Sequence, residues 1–168
     1  MATGAPSALE RGPQPYLGAR EVVTMTTIGR VADRIPELLA WLDRHGVVPA
    51  GPPFLRYLTI DMERELEVEA GVPLLGPVHV GGDLFVRTLP AGRYVTMTHV
   101  GNPHGLVGAT AELLRWADGK GLRWDVHDTP AGQAWACRLE VYRTDPRVEP
   151  DTDRWETDLV FKLATAAD

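Results

Sequence analysis

Val95-Thr96-Met97-Thr98-His99-Val100-Gly101 restates, with two replacements, an earlier run of the same chain, Val23-Thr24-Met25-Thr26-Thr27-Ile28-Gly29. A second pair follows in the same order. Glu37-Leu38-Leu39-Ala40-Trp41 is answered by Glu112-Leu113-Leu114-Arg115-Trp116. The offset is 72 residues from 23 to 95 and 75 from 37 to 112, so the second connection is about three residues longer. One such match could arise by chance. Two in the same order read as an internal duplication.

Each half predicts a β-α-β-β unit. Val23 and Met25, and again Val95 and Met97, alternate with threonines, the period of a half-buried strand. Val31, Ile35, Leu38, Leu39 and Leu42 form an apolar stripe at helical spacing, with Pro36 acceptable near the helix start and Gly46 suited to its stop. Leu106, Thr110, Leu113, Leu114 and Ala117 form the second stripe. Strands are predicted at 54–61 and 65–72 in the first half and at 135–143 and 156–163 in the second, with 85–89 as an additional strand. The fold class is α+β: a duplicated unit spanning about 19–72 and 85–163, a mostly antiparallel sheet, two helices on one face and a ligand cleft on the other. Residues 1–15 read as a flexible tail and 16–164 as one domain.

Composition narrows the function. The 168 residues are 44% hydrophobic and 24% charged, as in an ordinary globular protein. A net charge of −6 with no Lys/Arg run argues against nucleic acid. No stretch approaches the ~20 apolar residues of a membrane helix, and no signal peptide is evident, so a cytoplasmic location is expected. The single cysteine, Cys137, alternates with Trp135 and Leu139 and reads as a buried thiol. Five scattered histidines do not make a metal site, and no phosphate loop occurs, so no cofactor is expected.

The strand at 135–143 carries the candidate chemistry. Alternation puts Trp135, Cys137, Leu139 and Val141 toward the helices and Ala136, Arg138, Glu140 and Tyr142 on the other face. Asp158 is expected to share that face with Glu140. Such a face is either plain solvated sheet or a cleft in which Glu140 sits among Tyr57, Tyr142 and Trp155. In the second case the carboxylate would pair with a lipophilic cation, and burial would raise its pKa toward proton transfer. His99 packs beside Met97 or lines the cleft mouth, and Trp124 is a candidate cap.

An ordered set of short signals carries a family resemblance. They are Pro15-Tyr16-Leu17-Gly18, Trp41-Leu42, Gly51-Pro52-Pro53 leading to Tyr57, Val72-Pro73 and Leu89-Pro90-Ala91-Gly92-Arg93-Tyr94. His99-Val100-Gly101, Leu139-Glu140-Val141-Tyr142, Asp145-Pro146 and Trp155-Glu156-Thr157-Asp158-Leu159 complete it. Over about 15–164 the chain resembles the GyrI-like small-molecule-binding proteins. The resemblance implies a duplicated fold with a cleft for hydrophobic, often cationic or planar aromatic compounds. It implies Glu140 at the bottom of that cleft, Asp158 as a second acid where the family usually has Glu, and Tyr57 as an aromatic wall.

With no helix-turn-helix ahead of residue 16, a free-standing member is expected. The resemblance leaves three functions open: a module that binds and removes small molecules, a hydrolase opening cyclopropane-bearing alkylating natural products with water, and a protein-interaction role such as gyrase protection. In the hydrolase, Glu140 would be the candidate catalytic residue.

Overall fold

A computed structural model describes residues 4–165 of the chain. Residues 1–3, the start of the expected tail, lie outside that range. The elements are β1 (Ser7–Arg11), β2 (Gln14–Val23), α1 (Gly29–Ala32), α2 (Arg34–Arg44), β3 (Phe54–Ile60), β4 (Leu66–Pro73), β5 (Leu84–Leu89) and β6 (Gly92–Val100). They continue with α3 (Leu106–Gly119), β7 (Val126–Thr129), β8 (Gly132–Trp135), β9 (Arg138–Tyr142) and β10 (Glu156–Lys162).

The strands form one antiparallel sheet ordered β1-β6-β10-β9-β3-β4-β2-β5, with the β7–β8 hairpin attached to β3. The order shows the duplication: β2-β4-β3 of one half mirrors β6-β10-β9 of the other. The halves join at a seam where Phe54, Leu55 and Arg56 of β3 pair with Val141, Glu140 and Leu139 of β9. The outer edges are exchanged. β1 pairs with β6 of the second half, and β5 pairs with β2 of the first. Only Gly12 and Pro13 separate β1 from β2, and only Pro90 and Ala91 separate β5 from β6. Links that short bring the two edges close, so the sheet curls.

The curl gives the sheet two unlike faces. Outside, Val31, Leu38 and Leu42 of the first helical segment and Leu106, Ala109 and Leu113 of α3 pack on Leu17, Val68, Ala70, Val95, Met97, Leu159 and Phe161. Inside, Tyr16, Phe54, Leu89, Tyr94, Cys137, Leu139 and Val160 form a separate cluster with no helix residue. The rings of Phe54 and Phe85 lie where a Cβ on Gly71 or Gly18 would have to go, so these glycines let the aromatics close the inner face. Glu69, 0% exposed, is held there by the Tyr16 hydroxyl and by Arg87 Nη1, which donates at 2.6 Å.

Three expectations need correction. The run 23–29 is not a strand: β2 ends at Val23, and Thr24 to Thr27 form a turn in which Thr24 N–H donates to Thr27 Oγ1 at 2.8 Å. Its counterpart 95–100 does lie in β6. Ser7–Arg11, expected within a flexible tail, is a paired strand. The expected strand 135–143 is broken at Ala136 and Cys137, so Trp135 joins the outer core while Cys137 and Leu139 join the inner one. Alternation carried unbroken through that point reversed the faces of β9. The helix at Leu106–Gly119 buries Leu106, Leu113 and Ala117 of the expected stripe.

Candidate functional site

The site is built where the two halves meet. In β9, Glu140 is registered between Leu55 of β3 and Leu159 of β10, both buried in the outer core. Residues paired across antiparallel strands share a face, so Glu140 faces the helix side and not the inside of the curl. The helices do not cover it. α1 and α2 lie over β2 and β4, and α3 lies over β6, leaving the central strands β3 and β9 between them. Glu140 was expected on the face opposite the helices; its register puts it on the helix face, over the central strands that the helices leave uncovered.

Tyr57 of β3 and Tyr142 of β9 both donate their hydroxyls to Glu140 Oε1, each at 2.9 Å. One residue comes from each half, and the carboxyl group bridges them. Burial pushes the Glu140 carboxyl above the ordinary glutamate value; the two tyrosine hydrogen bonds and the nearby Arg138 charge pull the other way without cancelling it. Burial, reinforced by the Glu140 charge, holds both tyrosines well above their usual range, so they stay protonated donors.

Arg138, two residues back on the same face, completes the floor. Its guanidinium lies 4.7 Å from the ring centre of Phe161, 4.9 Å from Trp135 and 5.9 Å from Tyr57. Burial lowers its pKa while Glu140 and Tyr57 support its charge. Trp124 packs edge-on against Phe161 and tilted against Trp135, as part of this aromatic wall rather than as a cap. Arg138 was not singled out from the sequence, although its spacing from Glu140 along one strand was the available signal.

The other expected site residues do not converge. Asp158 is registered with Val141 and Thr98, on the opposite face from Glu140, and accepts from Thr98 Oγ1 at 2.6 Å. The expected sharing of a face fails because Leu159, one residue on, is the partner of Glu140. Trp155 lies just before β10 and donates its indole N–H to Glu149 O at 2.7 Å, which ties it to the β9–β10 connection. His99 does share the Glu140 face, through its register with Thr157, but its ring packs under Gly105 ahead of α3, with Nε2 paired to Asn102 O at 3.1 Å. Cys137 is buried in the inner cluster, and burial pushes its thiol up. An inner-face cavity of about 200 Å³, lined among others by Gln14, Pro52, Phe54, Leu89 and Leu139, contains no carboxylate.

Residues 5–164 match the model of the GyrI-like small molecule binding domain. The chain belongs to the GyrI-like family. No curated protein matches it. Among solved structures, this GyrI-like chain is similar to EcmrR in a DNA complex, at 18% identity and TM-score 0.74, covering 96% of this chain and 58% of EcmrR. The chain therefore spans little more than half of that protein. It is also similar to a hydrolase from Listeria innocua, at 16% identity and TM-score 0.63, covering 95% of this chain and 91% of that one. A third similar structure is SAV2435 bound to tetraphenylphosphonium, at 10% identity and TM-score 0.64, covering 95% and 94%. At these identities the likeness establishes the fold alone. Among the described residues of this GyrI-like domain, no helix is long and apolar enough to cross a membrane and no cluster of His, Cys, Asp and Glu could hold a metal ion.

Proposed function

We propose that this GyrI-like domain captures hydrophobic aromatic compounds, lipophilic cations among them, between its helices and over Glu140, and so withdraws them from solution. The observation that carries the reading is the shared oxygen: Tyr57 and Tyr142, from opposite halves, both donate to Glu140 Oε1. A carboxyl group held this way keeps its second oxygen for a ligand, and the rings beside it supply stacking area. A ligand enters by displacing or turning the tyrosines. The net charge of −6 supports a role in which the domain does not itself grip duplex, and a cytoplasmic role fits its composition.

Titrating the protein with tetraphenylphosphonium, followed by tryptophan fluorescence, tests the reading. Binding that weakens at least tenfold in Glu140→Gln supports it; unchanged affinity in that variant removes Glu140 from the site.

A second reading, hydrolysis, is favoured by the raised pKa of Glu140. On a cyclopropane conjugated to a carbonyl, water would form a bond to ring carbon as the strained C–C bond breaks, its electron pair passing to the carbonyl oxygen. Protonated Glu140 would supply that oxygen's proton, and the proton released by the attacking water would restore it. Incubation with a cyclopropane-bearing indole alkylator, followed by chromatography for the ring-opened product, separates capture from turnover.

A further inference from the structure

The floor of the site carries two hydrogen-bond donors that no acceptor of the protein satisfies. Among the described residues, the Arg138 guanidinium makes no hydrogen bond and no ion pair within 4 Å; it lies against ring faces, with the Glu140 charge near enough to support its own. The indole Nε1 of Trp135, buried and without a partner, belongs to a ring against which that guanidinium is stacked. Two other arginines of the sheet do find acceptors: Arg56 of β3 donates to Tyr16 Oη and Ala136 O, although its Nε is buried without a partner, and Arg87 of the edge strand β5 donates to Glu69. Stacking fixes the plane of the Arg138 group and leaves its N–H edge for a planar acceptor, the geometry suited to a carboxylate.

We propose that Arg138 is the acceptor-binding pole of the cleft, so that its ligands are aromatic molecules bearing a carboxylate or a conjugated carbonyl. This rests on the cleft reading above and deepens it. With Glu140 two residues away, the floor has one positive and one negative pole. A pure lipophilic cation meets Glu140 but is opposed by Arg138. A molecule with an aromatic body and an acceptor at one end would be gripped at that end by Arg138 and would lay its body along the partly exposed Tyr142. In the hydrolytic reading, the same pole would hold the carbonyl oxygen on which negative charge develops.

Two probes with one aromatic body decide the matter: pyrene-1-carboxylate and pyrenylmethylammonium, followed by pyrene fluorescence. In the wild-type protein the carboxylate should bind. Arg138→Met should weaken it at least tenfold while leaving the ammonium probe unchanged or bound more tightly, and Arg138→Lys should recover part of the loss. Equal weakening of both probes would assign Arg138 a merely structural role, and no weakening of the carboxylate would remove it from the site; either overturns the proposal. Should Arg138→Met fail to fold, a wild-type crystal soaked with pyrene-1-carboxylate decides. A carboxylate within hydrogen-bond distance of Arg138 supports the proposal, and one directed to solvent refutes it. Binding of the ammonium probe alone by the wild-type protein defeats this inference and spares the cleft. Binding of neither probe defeats both.

Discussion

At the scale of single residues, Glu140 links stability to pH. Its folded-state pKa lies above the ordinary value, so the protonated form is the one folding favours. The stability it contributes is fully present below the unfolded pKa of about 4 and is lost as pH rises through the folded value. Glu140→Gln, which keeps an acceptor for both tyrosines and never ionises, should therefore gain on the wild type as pH rises from about 4 to 7. Thermal melts of both proteins across that range check this; a melting difference that shrinks with rising pH contradicts it. Tyr57→Phe and Tyr142→Phe should each cost about 1 kcal/mol, the net worth of a typical hydrogen bond. Because both hydroxyls share one oxygen, the double variant should depart from additivity in a denaturant cycle. Glu140 and Tyr57 are singled out by the family resemblance, and Tyr142 by its alternation onto the face of Glu140. The period alone puts that face on the wrong side of the sheet, because β9 is broken from Trp135 at Ala136 and Cys137. Asp158 was misplaced because its face depends on register with β9, which no local pattern states.

At the scale of elements, hydrophobic period marked β3, β4, β10 and both main helices to within a few residues. It failed where side chains override it. Val23-Thr24-Met25-Thr26 and Val95-Thr96-Met97-Thr98 share their letters, yet only the second is strand throughout. In the first, threonine hydroxyls bond to the backbone and to one another and close a turn. The β7–β8 hairpin has no strand predicted for it ahead of residue 135, because its alternation is short and polar. Its tip at Gly132 has φ +123°, and a Cβ there would strike the Ile60 carbonyl oxygen. Gly132→Ala should thus destabilise the fold and disturb the β8–β3 pairing, visible as faster amide exchange at Thr59 and Ile60. Leu113, fully buried on the sheet-facing side of α3, should cost about 2–5 kcal/mol as Leu113→Ala in a denaturant melt.

At the scale of the whole molecule, the exchange of β1 and β5 has a consequence for how the halves hold together. Each half wears as its outer selvedge a strand that sequence order would give to the other. Were the backbone cut within the connection at 74–83, the longer C-terminal piece would still own the strand that finishes the N-terminal one, and the reverse. Two such pieces, expressed apart, should find each other in a test tube and rebuild the binding pocket that neither has alone. A small molecule bridging Tyr57 and Tyr142 would then act as a stitch, tightening their reassembly in proportion to its own affinity.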